Sequence, residues 1–147
     1  MMKKLVTRLL PDQTASAAVE FALIGPIFLG MFLGVMQVGI GMQNYNALRS
    51  ISADTARWAV TNYQAGDQKT AIQIQQQATD LAAAAPYGLE AGRFVSFVAD
   101  SSVITQRVAG ATEFRITLTY RVRTLLGVIG VGEIPLSYSR PIFVISS

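Results

Sequence analysis

The chain has 147 residues, 51% hydrophobic and 14% charged, with 12 Lys+Arg against 9 Asp+Glu and neither His nor Cys. Without a thiol or an imidazole it can build no disulfide, zinc ribbon or iron–sulfur cluster, and no Ser-His-Asp or Cys-His mechanism. The net charge of +3 forms no dense basic run or aromatic-basic ladder, which argues against nucleic acid, and the scattered acids predict no catalytic group, metal, cofactor or small-molecule substrate.

The charge deficit is local. A basic leader, residues 1–15, carries Lys3, Lys4 and Arg8 against Asp12, and between Glu20 and Arg49 there are 28 residues without a formal charge. Phe21 to Met36 lacks any strongly polar group, and the uncharged run continues through Gln37 to Met42. At about 1.5 Å per residue, Phe21 to Met42 is long enough to cross a hydrocarbon core of roughly 30 Å. A chain this short has too small a core to surround such a helix as a buried soluble element. The sequence therefore predicts a transmembrane helix over 16–42, with the leader cytoplasmic and residues 43–147 outside, by the excess of Lys and Arg on the leader side. A cleaved secretory signal is the rival, with Gly39-Ile40-Gly41 as a late small-x-small site. The length of the run, the interruption at Glu20 and the placement of Ala15-Ser16-Ala17 before the run weigh against it.

Within the span, Pro26 removes a backbone donor and crowds the carbonyl four residues back, predicting a kink or local opening near Ala22. Gly30 and Gly34 form a G-x-x-x-G on which another helix could pack closely; ordinary glycine in a membrane helix is the alternative. Glu20, at the edge of the run, either reaches the headgroups or, placed deeper, requires a partner.

Beyond the span the helix is expected to continue to Val60, since Leu48, Ile51, Thr55 and Trp58 repeat at helical spacing, with Asp54 and Arg57 one turn apart. Asn62 to Asp67 reads as a turn. Asp67 is the expected N-cap of a second, amphipathic helix, Gln68 to Ala85, whose stripe is Ala71, Ile74, Ala78, Leu81 and Ala85 and which Pro86 and Gly88 stop. Strands follow: Arg93 to Ala99, then Phe114 to Val122 with alternate residues apolar, then Ile134, Leu136 and Tyr138 with Pro135 and Pro141 marking an edge or its ends and FVIS as an extension. The predicted class is α+β: a long N-terminal helix, transmembrane and continuing outside, a second helix, and a small antiparallel sheet of three or four strands packed on the helices.

Arg115, Arg121 and Arg123 share the polar side of the middle strand, where they are either solvated or poised for an acidic partner or lipid headgroups. With Arg57 and Trp58 they are the candidate contact residues of the outer domain. The stretch LLGVIGVG has the wrong spacing for a phosphate or dinucleotide loop; burial between strands is the plain expectation, a contact patch or membrane-dipping loop the alternative. A hydrolase using Ser101 or Asp100 lacks any base.

SAAVEFALIGPIFLGMFLGVMQVG, Ser16 to Gly39, resembles the opening of TadE-like proteins, the minor pseudopilins of tight-adherence (Tad/Flp) pilus systems. Glu20, Phe21, Ala22 and Pro26 match the family pattern. SADTARWAV is similar to a later family segment at Ala53, Ala56, Arg57 and Ala59, and departs from it at Asp54 and Thr55. The resemblance implies cutting by a prepilin peptidase between Ala15, which stands where the family has Gly, and Ser16. It further implies that the new Ser16 ammonium meets Glu20 of a neighbouring subunit in a hydrophobic bundle, with Phe21 part of the processing motif and Pro26, Gly30 and Gly34 on the assembling helix. The partners it implies are the membrane, other Tad pilus subunits or pseudopilins, and the peptidase. A membrane-anchored extracytoplasmic binding or scaffold module, outside any fibre, is the alternative.

Overall fold

A computed structural model of the protein describes residues 13–100, 102–127 and 130–145, with side chains from Ser16 onward. The leader residues Lys3, Lys4, Arg8 and Asp12, the candidate nucleophile Ser101, and Val128 and Ile129 of the glycine-rich stretch lie outside the described residues. Two compact units are present, Met1–Gln37 and Val38–Ser147. Helix α1, Gln13–Gln64, runs through both.

In the first unit α1 continues unbroken through Pro26. Its large apolar side chains face outward: Phe21 is 78% exposed, and Leu23, Ile27, Phe28, Met31 and Val35 are also exposed. Among the described residues this is the one helix long and apolar enough to cross a membrane, with an 18-residue window of mean hydropathy 2.0 and none of it buried.

In the second unit the same helix has a buried side. Leu48, Ile51, Thr55 and Ala59 recur every three or four residues and are fully buried. The buried Thr55 hydroxyl donates to the Ile51 carbonyl at 2.8 Å, so its polar atom is satisfied within the helix. The helix outlasts its expected end at Val60 and closes after Gln64. Gly66 adopts φ 81°, while the Asp67 N–H reaches the Asn62 carbonyl at 2.9 Å and the Gly66 N–H reaches Tyr63 at 3.1 Å. This Schellman arrangement needs the left-handed backbone that glycine adopts without strain.

Helix α2 is shorter than expected, Ala71–Ala83, and its cap is Thr70 in place of Asp67. Asp67 is consumed by the preceding turn and pairs with Lys69. Thr70 Oγ1 accepts from the Gln73 N–H at 3.3 Å and Gln73 Oε1 accepts from the Thr70 N–H at 3.0 Å, a reciprocal capping box. The buried stripe is Ile74, Ala78 and Ala82. Ala85 lies beyond the helix and is exposed.

A short 3-10 turn, Ala91–Arg93, leads into β1 (Phe94–Ala99), β2 (Thr112–Val122) and β3 (Ile134–Val144), a three-stranded antiparallel meander in that order. The register pairs Phe97 with Thr117 and Thr117 with Ser139, so β2 is central and β3 is an edge. Phe143 and Val144 of the final apolar stretch belong to β3, which runs through both prolines, and Ile145 follows the strand. Phe114, Ile116, Leu118 and Val122 are buried on the inner face, with Tyr120 partly buried, as the alternation requires. Phe114, Ile116 and Leu118 join Leu48, Ile51, Ala59, Ile74 and Ala78 in one core, against which Tyr120 packs. Edge-on ring contacts tie α1 to the sheet, with Tyr63 and Phe114 centroids 6.0 Å apart and Tyr45 and Tyr138 5.9 Å apart. The glycine-rich loop departs from the expectation of burial: Leu125 and Val131 are exposed.

Candidate functional site

The matching N-terminal motif lies on one exposed stretch of helix. Ser16 and Glu20 are one turn apart, and Ser16 Oγ donates to Glu20 Oε1 at 3.4 Å, a long and solvent-exposed contact. Ala15, on the other side of the expected cut, is in the same helix. Directly after Glu20, Phe21, Ala22, Gly25, Pro26 and Leu29 border an apolar depression of about 540 Å³. A Cβ at Gly30 or Gly34 would meet nothing within 4 Å, so the G-x-x-x-G stretch is open. A carboxylate above an uncovered apolar surface can pair with a cation, and the surface can pack against helices or lipid.

The candidate contact residues of the outer unit do not form one patch. Arg57 is exposed on α1 and only loosely paired with Asp54, at 3.8 Å. Trp58, half-buried, packs under Lys69, whose Nζ is 5.6 Å from the ring centroid. Arg115 and Arg121 stand on the outer face of β2, Arg115 at 3.7 Å from Glu113, while Arg123 follows the strand and reaches Glu90 at 3.1 Å. That outer face also carries exposed Val95 and Phe97 of β1.

Two polar contacts have no counterpart in the sequence patterns. Glu113 is 1% exposed and receives a fork from Arg107, with Nε at 2.9 Å and Nη2 at 2.6 Å. These donors hold the carboxyl below the usual glutamate range, against the opposing effect of desolvation. Tyr87 donates to Asp54 at 2.7 Å, and burial followed by that carboxylate pushes the phenol up. Both are long-range or loop-mediated pairs, for which charge spacing carries no signal. Asp100 accepts from the Ser102 N–H at 2.9 Å and from its hydroxyl at 2.5 Å, which lowers its pKa and occupies it in a local turn.

Two adjoining depressions, of about 390 and 490 Å³, lie between the outer part of α1 and β3 and share Ala53 and Arg140. Arg49 borders the first and Arg57 the second. Of these three arginines, the sequence patterns single out Arg57 alone, because only the tertiary fold brings Arg140 to the helix.

Residues 15–57 match the family described as TadE-like protein. No curated protein and no solved structure matches the chain. The matched segment contains Ala15, Ser16, Glu20, Phe21, Pro26, Gly30 and Gly34 and ends at Arg57; the sheet and its arginines follow it.

Proposed function

With the chain TadE-like over residues 15–57, we propose that it is a non-enzymatic, minor pilin-like subunit taking part in the assembly or structure of a tight-adherence (Tad/Flp) adhesive pilus. The observation that carries this reading is the uncovered apolar stretch of α1 beginning at Glu20, on which every large apolar side chain from Phe21 to Phe32 is exposed. Such a surface is stable only when lipid or other apolar helices cover it. In this reading residues 16–42 sit in the bacterial inner membrane, the leader is cytoplasmic, and the domain from residue 43 is periplasmic.

Cleavage between Ala15 and Ser16 by a prepilin peptidase frees the Ser16 amine. The exposed Glu20 carboxylate then pairs with the ammonium of a neighbouring subunit, offsetting the desolvation of both inside a helix bundle. Gly30 and Gly34 allow the helices to approach.

Replacing Glu20 by Gln or Ala in the native host tests the reading. Loss of piliation with normal membrane insertion is expected; unchanged piliation would sink the pilin role and leave a membrane-anchored binding or scaffold module. N-terminal sequencing of the protein from its membrane is expected to start at Ser16. A start near Met42 would mean ordinary secretion, and an intact Met1 a permanent anchor.

A further inference from the structure

The groove between α1 and β3 combines three properties. It is cationic: Arg49, Arg57 and Arg140 border it, no Asp or Glu lines it, and Arg49 and Arg140 enter no ion pair among the described residues. The carboxylate nearest Arg57, Asp54 at 3.8 Å, is already held by the Tyr87 hydroxyl. It has an open strand edge: β3 pairs with β2 alone, no other backbone hydrogen bond reaches β3 among the described residues, and Arg140 to Phe143 of that strand form its wall. And it is long, bordered on the helix from Asn46 to Thr61, a rise of about 22 Å.

We propose that this groove binds an extended, acidic polypeptide segment of another protein, laid along the edge of β3 with its carboxylates on Arg49, Arg140 and Arg57. A span of about 22 Å accommodates roughly seven residues of extended chain. The unpaired backbone of β3 finds N–H and C=O groups at strand spacing in an extended polypeptide and not in a lipid surface, which favours the polypeptide. Guanidinium forks suit carboxylates, and an open edge supplies main-chain partners while alternate side chains set specificity. Pro135 and Pro141 remove donors from β3, which limits indiscriminate pairing along this edge and leaves the arginines to select the occupant. The inference concerns the outer unit alone and stands whether or not the protein enters a fibre.

The test uses the full chain, one copy per phosphatidylcholine nanodisc, titrated with the fluorescent heptapeptide Thr-Glu-Val-Glu-Val-Glu-Thr and with its Lys-for-Glu counterpart. The acidic peptide should bind at least about tenfold more tightly than the basic one and weaken as salt rises. The double variant R49Q/R140Q should lose about tenfold in affinity, and R49K/R140K should retain most of it, with unchanged circular dichroism in both. Equal binding of the two peptides, no binding, or an undiminished R49Q/R140Q overturns the proposal. Displacement of the peptide when the disc contains phosphatidylglycerol, reversed in R49Q/R140Q, overturns it in favour of a headgroup site. Arginine-dependent self-association of the detergent-solubilised chain overturns it in favour of a second copy.

Discussion

Helix α1 carries two regions with the same backbone and opposite fates. Before Val38 its large apolar side chains, from Phe21 to Val35, are mostly exposed, whereas beyond it Leu48, Ile51, Thr55 and Ala59 are fully buried. Hydrophobicity alone does not separate them, since both are rich in apolar residues. What separates them is arrangement: the outer region concentrates its apolar groups on one side and supplies its own cover from α2 and the sheet, while the inner region is apolar all round. A helix of the second kind has to find its cover outside the chain.

The largest expected contrast follows directly. Leu118→Ala empties a fully buried position and should lower the stability of the outer unit by about 2–5 kcal/mol, read in detergent by denaturation followed through Trp58. Leu29→Ala removes the same atoms from an exposed position and should leave that transition within about 0.5 kcal/mol. Equal losses at both sites would abolish the distinction between the two regions.

The buried charge sharpens the contrast next. Because the Arg107 fork depresses the Glu113 pKa below its ordinary value of 4.5, the unfolded chain binds this proton more readily than the folded one. The stabilisation is therefore complete above that ordinary value and is lost as pH falls through the lower folded value. Thermal melts from about pH 6 down to about pH 3 should show a steeper loss in the wild-type protein than in Glu113→Gln. Coincident slopes would assign the acid sensitivity elsewhere.

The smallest effect is at the start of α2. Thr70→Ala removes one half of the capping box and should cost about 1 kcal/mol. Asp67→Ala, at the position that sequence alone favours as the cap, should cost less; the reverse order would restore the longer helix.

Much of the outer architecture is legible in residue order. The period-two pattern of β2 puts Ile116 and Leu118 inside and Arg115 and Arg121 outside, and the stripe through Leu48 and Ile51 identifies the buried side of α1. The errors fall where two local signals compete. Asp67 and Thr70 are both good caps, and the hydrogen bonds of the turn at Gly66 take the first and leave the second to start the helix. Pro135 and Pro141 read as an edge or as the ends of a strand; β3 is an edge, and because an edge tolerates a missing donor on its open side the strand continues through both.

By itself the sequence determined the uncharged run, the basic residues that precede it and the Glu20 motif, because hydropathy, charge and spacing are properties of neighbours along the chain. Only the tertiary structure decided that Glu113 is buried against Arg107, that Tyr87 reaches Asp54, and that Arg140 joins Arg49 and Arg57 at an open strand edge. Residues far apart in sequence share a surface only after the helix and the sheet have packed. The charge pattern of that surface is therefore a consequence of strand register and helix phase together, and neither is written in the spacing of the arginines.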